Sequence, residues 1–364
     1  MPRVRRSAAL VVSFEGDGAA GFQFLARTRA TLSPRALELL ASLDGWRTPA
    51  ELVVGEARAA IAEELVGLLD LGFIVVEGGA TGELDERFRR EWGWGAEAAA
   101  FHFGLKDPDY RPPPEVFQWM THRVATAPAV PLWTGNDGLP ITTLPSPDLG
   151  HGTIGLMARR RSSRAFDRDR PVPLDALSDV LFSGFAILAF AESGVAGDAP
   201  LPLTTTPSGG ARNPFEAYVV VRAVEGLEPG VYHYAGVDGT LGRLAAGAPP
   251  IAPLLGNQAW SADAGAVVLL VASFARCAWK YPHPGALRVV FMEAGHIAQN
   301  LLLAATAHGL AATPTCALAD GPIEELLGLD RVKQAALHAV ALGARAAAPG
   351  PADVQIVRPN PYLR

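Results

Sequence analysis

"ALRVVFMEAGHIAQNLLLAATAHG", residues 286–309, is the stretch that sets the architecture. Leu287, Val290, Phe291, Ala294, Ile297, Ala298, Leu301, Leu302 and Ala305 recur at three- and four-residue steps, the period of a helix with one apolar side. Gly309 follows as its stop. Arg288, Glu293, His296, Gln299 and Asn300 interrupt the run, so it is a core or interface helix and not a bilayer span. Upstream, "EAYVVVRA" (216–223) and "AGAVVLLVA" (264–272) are Val-rich runs of strand length. Such strands and long helices occupy the chain from about His151 onward, which predicts an α+β domain, a sheet with helices around it.

The composition sets the outer limits. With 364 residues, 49% hydrophobic and 19% charged, the chain can bury a sizeable core and carry a second, smaller domain. A net charge of −6 argues against nucleic acid or an anionic membrane surface as the partner. Cys277 and Cys316 are the only cysteines, so there is no disulfide framework, and a reducing compartment fits. The opening "MPRVRRSAALVVSFEGDG" offers only about five apolar residues in a row, short of a secretory h-region of roughly 7–15. The expectation is a soluble, cytoplasmic protein with no membrane segment.

Residues 7–77 read as a small α/β unit. "ALVVSFEGDGAAGFQFLAR" gives two short strands around a glycine-rich turn. Ser33 with Pro34, and Thr48 with Pro49, mark helix starts, and Ile61, Leu65, Leu68 and Leu69 follow helical spacing in a third helix. "GFIVVEG" closes the unit as a strand. We therefore expect a winged-helix-like domain over 1–85, a Trp- and Pro-rich connecting segment over 86–150 with a short helix near 115–124, and the main domain over 151–364. The third helix sets Arg58 against Glu56, Glu63 and Glu64, which disfavours duplex binding. "LDGWRTPAELV…LLDLGFI" resembles the PqqD-like domains of peptide-modifying enzymes, which add a peptide strand to a sheet edge. A packing extension without a ligand explains the unit equally well.

Three stretches carry candidate chemistry. "ARRRSSRAF" (158–166) gathers Arg159, Arg160, Arg161, Ser162, Ser163 and Arg164, a donor set suited to a phosphate. The same cluster also reads as a surface patch neutralised by Asp167 and Asp169. "TTTPSGGARNPFEAY" (204–218) places Pro207, Ser208, Gly209 and Gly210 where backbone amides can approach a ligand, or form a plain turn. It is neither a Walker loop nor a dinucleotide fingerprint. "WKYPHPGALR" (279–288) sets Lys280 beside Tyr281 just before two prolines and a glycine. Neighbouring side chains reach one pocket only from irregular backbone, which Pro282, Pro284 and Gly285 favour. Metal chemistry has little support: Glu293 and His296 form a single E-x-x-H. No nucleophile elbow is present.

"RRSSRAFD" (160–167), "TPSGGARNP" (206–214) and "EAGHIAQNLLLAATAHGLAATP" (293–314) together resemble the FMN-dependent nitroreductase superfamily, in its order. The P-S-G-G form, "PGVYHYAG" (229–236) and the Lys280–Tyr281 pair resemble its SagB-type branch, the azoline oxidases of thiazole and oxazole pathways. That resemblance implies a nitroreductase-like FMN fold, an α+β architecture with a central mixed sheet flanked by helices. Arg160, Arg161, Ser162 and Arg164 would hold the FMN phosphate and pyrimidine edge, Pro207, Ser208, Gly209 and Gly210 would line the flavin, and Arg345 would be a further phosphate ligand. Lys280 and Tyr281 would be the catalytic base pair, with a lysine buried near flavin and its pKa lowered. The resemblance also implies a homodimer, a peptide or carrier-bound peptide substrate, and a cyclodehydratase as partner. Two alternatives remain: a reductase using a nicotinamide cofactor on nitro, quinone or enone substrates, and a scaffold that has lost its flavin.

Overall fold

The run at 266–273 is apolar on both of its faces, as suits a strand covered from two sides. In the computed structural model, which describes residues 2–16, 18–53, 58–106, 112–126, 150, 152–192, 200–281, 283, 285–348, 350 and 353, it is the centre of a six-stranded sheet. In chain order the main part contains α7 (Gly152–Arg159), α8 (Leu174–Phe185), β6 (Ile187–Ala191), β7 (Leu201–Thr204), β8 (Phe215–Val221), β9 (Gly230–Ala235) and β10 (Thr240–Ala246). Then come α9 (Ile251–Leu254), β11 (Ala266–Ser273), α10 (Phe274–Lys280), α11 (Ala286–Ala307), β12 (Ala311–Thr315), α12 (Asp320–Leu327) and β13 (Gln334–Gly343). The strand order is β10-β9-β8-β11-β13-β12. Val268, Leu270 and Ala272 of β11 join a core with α8 and α11, and Val267, Leu269 and Val271 join one with α9 and α12.

Every pairing in this sheet is antiparallel, where a mixed sheet was expected. The short connections between β8, β9 and β10 dictate that direction for the β8–β9 and β9–β10 pairs, since only a longer crossover returns a parallel strand. The register fixes the two ends of the sheet. Phe215, Ser273 and Gln334 meet at one end, and Val221, Ala266 and Leu342 at the other. The apolar stripe of α11 (Leu287, Val290, Ala294, Ile297, Ala298, Leu301, Leu302, Ala305) is buried inside the chain, while Met292, His296 and Gln299 remain exposed.

The amino-terminal part contains β1 (Val4–Arg6), β2 (Leu10–Glu15), β3 (Gly18–Gln23), β4 (Thr28–Leu32), α1 (Pro34–Ser42), α2 (Pro49–Leu52), α3 (Arg58–Asp70) and β5 (Ile74–Val76). The caps work as their sequence suggests: Ser33 Oγ accepts the Ala36 N–H at 2.9 Å, and Glu51 accepts the Thr48 N–H at 2.7 Å. The order of elements is the expected one, strands, three helices and a closing strand, but β1 and β4 are strands beyond those expected. A three-stranded antiparallel meander, β2-β3-β4, precedes the helices, and the strand after them, β5, pairs with β1. The β3–β4 turn was illegible because it relies on Arg27 at φ +59°, a conformation its residue type does not advertise.

Residues 80–126 form α4 (Ala80–Glu91), α5 (Gly95–Gly104) and α6 (Pro113–Thr126). Helix α4 runs unbroken across residue 85. Phe24, Phe88, Trp92, Trp94 and Phe103 are buried in the same core as α8, α11 and Phe274, so the amino-terminal part and the main sheet share one interior. Ion pairs cross the same boundary: Lys106 with Glu324, Arg87 with Asp330, and Lys333 with Glu91. Residues 127–149, His151, Pro282 and Pro284, which several expectations rest on, lie outside the described residues.

Candidate active site

Lys280 is the last residue of α10, and Tyr281 is its cap at φ −125°, ψ 75°. Leaving the helix between the two residues removes the angular separation that a regular element would impose. The other half of the site is the loop before β8, which antiparallel pairing sets beside the end of β11 and so beside α10. In that loop Gly210, Ala211 and Asn213 have φ of +62°, +54° and +43°, an unusual density of left-handed backbone. A Cβ on Gly210 would lie 2.9 Å from Lys280 Nζ, 3.1 Å from Lys280 Cδ, and closer still to the Tyr281 hydroxyl. Both side chains therefore end at this one glycine, and Lys280 Nζ donates to the Gly210 carbonyl at 3.4 Å. Lys280 Nζ stands 5.6 Å from the Tyr281 ring centroid.

Burial differs from the expectation. Tyr281 is half-buried, but Lys280 is exposed on the chain surface rather than enclosed, because α10 turns only Phe274 and Cys277 inward.

Behind the loop lies Glu293 of α11, 3% exposed. It accepts the Gly209 N–H at 3.3 Å and a hydrogen bond from Ser208, whose Oγ in turn accepts the Asn213 N–H at 2.9 Å. Burial raises the Glu293 carboxyl above the usual carboxylate range, and the two hydrogen bonds only partly offset it. His296, the other half of the E-x-x-H, is exposed. Burial also pushes the Cys277 thiol up to about 11, with nearby Glu293 adding to the effect.

The arginine–serine stretch sits elsewhere. Ser163 is buried against β12: its N–H donates to the Ala312 carbonyl at 3.0 Å and its carbonyl accepts from Thr313 Oγ1 at 2.6 Å. The chain then runs beside 344–346, with the Asp167 N–H on the Ala344 carbonyl and Phe166 bridged to Arg345. Asp353 accepts the Arg164 N–H at 2.6 Å and the Ser163 hydroxyl at 3.3 Å. Burial alone would raise its carboxyl, but the Arg164 and Gly350 N–H groups and Ser163 outweigh that and hold it low. Arg160 and Ser162 are half-buried, and Arg161 is exposed with one nitrogen on the Ala158 and Arg160 carbonyls. The Arg164 guanidinium lies 5.7 Å from the Trp260 ring centroid. Arg345, exposed, donates to the Leu310 carbonyl at 3.0 Å.

The structure thus brings the predicted residues together in two groups. Arg160, Arg161, Ser162, Arg164 and Arg345 gather at the Gly343 end of β13. Pro207, Ser208, Gly209, Gly210, Lys280 and Tyr281 gather at the Gln334 end. Ten strand residues at ~3.3 Å each put about 30 Å between them.

Sequence reading passed over the neighbours of the second group. Arg276 bonds the Asn213 carbonyl at 2.7 Å and pairs with Glu216, while the Arg212 guanidinium lies 4.8 Å from the centroid of exposed Trp279. Arg212, Arg276 and Trp279 bound a cleft of about 410 Å³ with Pro200 and Pro202. Arg212 and Glu216 lay within the 204–218 stretch and Trp279 within 279–288, both already under suspicion, while Arg276 lay in neither.

A sheet-and-helix domain with an arginine–serine arm and a Gly-rich loop behind its first long strand defines a class, and the comparisons give it a family. Residues 157–344 match the nitroreductase family, and the chain belongs to that family. Its members are FMN-dependent oxidoreductases. The chain is 34% identical over 174 residues to the nitroreductase homologue MJ1384 of Methanocaldococcus jannaschii, covering 47% of this chain and 82% of that protein. It is 32% identical over 139 residues to the trifolitoxin-processing protein TfxB of Rhizobium leguminosarum bv. trifolii, covering 36% of this chain and 37% of that one. A solved nitroreductase-type structure from Ralstonia eutropha is 22% identical with a TM-score of 0.44, covering 57% of this chain and 88% of the other. No described helix is long and apolar enough to cross a membrane.

Proposed function

We propose that this protein is an FMN-dependent dehydrogenase that aromatises thiazoline or oxazoline rings in a peptide or carrier-bound peptide. The observation that carries the reading is the convergence of Lys280 and Tyr281 on Gly210. Aromatising an azoline removes a hydride equivalent and a proton from adjacent ring carbons. FMN, when bound, would accept the hydride equivalent. The proton needs a base beside the ring, and the Lys280–Tyr281 pair supplies it: one member takes the proton while the other stays within reach to adjust its charge. A simple nitro or quinone reductase does not need such a pair.

The residues present fit a flavin mononucleotide. The guanidinium groups of Arg160, Arg164 and Arg345 and the Ser162 hydroxyl suit its phosphate and pyrimidine edge. The space that a Cβ on Gly209 or Gly210 would need is held by Val289 and by the ends of Lys280 and Tyr281, so glycine there lets the loop backbone approach the pair closely. The ~30 Å between the two groups exceeds the length of one such cofactor. A site that draws on both groups therefore takes one from each of two chains, which is why we assign a homodimer. The likeness to a trifolitoxin-processing protein supports a peptide substrate, and the meander β2-β3-β4 with its following helices suits a peptide-docking role for the amino-terminal domain over 1–85. A cyclodehydratase that makes the azoline is the partner such a reaction requires.

The reductase reading has one observation in its favour, the longer match to a nitroreductase homologue. Anaerobic spectroscopy separates the two. Purified protein should be yellow and be bleached by a thiazoline peptide, not by NADPH. Bleaching by NADPH alone would favour the reductase, and a protein that takes up no FMN would defeat both.

A further inference from the structure

We propose that Trp94 is a positioning residue for the Lys280–Tyr281 pair, so that the amino-terminal segment forms part of the active site. The inference rests on the catalytic reading of that pair. Helix α10 has seven residues, too few to hold its shape unaided. It is held on its inner side by residues 92–94. The Trp94 ring packs edge-on against Phe274 at the start of the helix, with centroids 5.4 Å apart. Its indole N–H donates to the carbonyl of Tyr281 at the end of the helix, at 3.1 Å, across 187 residues of sequence. That carbonyl also accepts the His283 N–H at 2.8 Å. Between these two anchors Gly93 lies against the middle of the helix, where an added Cβ would sit 2.8 Å from Ala278 Cβ.

One side chain therefore spans α10 from its first residue to its cap. The carbonyls at a helix end have no partner within the helix, so whatever binds them sets the direction in which the chain leaves. Here that direction decides whether the Tyr281 hydroxyl reaches Gly210. Trp94 is itself 1% exposed and rests on Trp92, with centroids 5.5 Å apart, and so on the aromatic core of α4 and α5. A buried indole must place its N–H somewhere. What sets this one apart is that it is spent on the residue beside the reacting groups.

Trp94→Phe keeps an aromatic ring and removes the donor, and Gly93→Ala acts on the same helix by steric pressure. Phe24→Leu is the control: it loosens the same core, where Phe24 touches Phe88 and Phe103, without reaching α10. Each variant of the full FMN-loaded protein is read by amide hydrogen exchange over 274–283 and by steady-state turnover of an azoline peptide. Trp94→Phe and Gly93→Ala should speed exchange in that segment and lower kcat about tenfold, with KM and FMN affinity unchanged. Phe24→Leu should lower stability and leave kcat in place. Exchange over 274–283 unchanged in Trp94→Phe, or a kcat loss in Phe24→Leu equal to that in Trp94→Phe, overturns the proposal. Lys280→Ala and Tyr281→Phe are assayed alongside. If both turn over normally, the catalytic reading of the pair falls, and the role given to Trp94 falls with it whatever the exchange shows.

Discussion

Gly210→Ala puts one methyl group where the Lys280 and Tyr281 side chains end. The backbone there has φ +62°, which an alanine adopts at a cost of about 1–2 kcal/mol. The new Cβ would lie 2.9 Å from Lys280 Nζ, against about 3.4 Å for ordinary contact, so the lysine must withdraw by about 0.5 Å and the tyrosine hydroxyl by more. A 1 Å misplacement of a reacting group costs on the order of 10²-fold in rate, so the expected loss in kcat is about 10- to 100-fold. The stability loss should exceed the backbone figure only modestly, because exposed Lys280 can swing toward solvent while half-buried Tyr281 must shift against its core neighbours. The assay is turnover of an azoline peptide by variant with full FMN occupancy, beside a urea unfolding curve. A folded, flavin-loaded Gly210→Ala enzyme working within about twofold of the wild type would refute the reasoning that places the pair at this glycine.

Two further perturbations test the scaffold. Lys106 and Glu324 form an ion pair whose side chains are 3% and 12% exposed, so Lys106→Met strands a buried carboxylate and should cost about 3–5 kcal/mol in urea unfolding. Adding Glu324→Leu should recover most of that loss. Glu293 has a carboxyl raised by burial, so the folded state holds its proton more tightly than the unfolded chain. That contribution is present below the ordinary carboxylate value and is lost as pH rises through the raised one. Glu293→Gln keeps an acceptor for the Gly209 N–H, so its stability relative to wild type should increase from pH 4 toward neutrality, and parallel stability curves would contradict this.

Much of the main domain was legible because its signals are local. The three- and four-residue steps from Leu287 to Ala305 can be satisfied only by a helix, and 266–273 has no polar face to offer solvent. The site was half legible. The sequence supplied Lys280, Tyr281 and Gly210 as suspects, yet their meeting depends on the pairing of β8 with β11, which no local pattern encodes. For the same reason nothing in the sequence said that Arg164 and Tyr281 stand at opposite ends of β13. The direction of the sheet was missed because a Val-rich strand reads alike in parallel and antiparallel company. Residues 86–150 read as a connecting segment because they are Trp- and Pro-rich, whereas Trp92 and Trp94, at the ends of α4 and α5, are buried in the core.

The central claim is that Lys280 and Tyr281 remove the substrate proton. Rapid mixing of the oxidised holoprotein with a thiazoline peptide without air measures the rate of flavin bleaching directly. With FMN fully bound, Lys280→Ala or Tyr281→Phe should slow bleaching by roughly 10²–10⁴-fold. Bleaching at the wild-type rate in both variants would contradict the account.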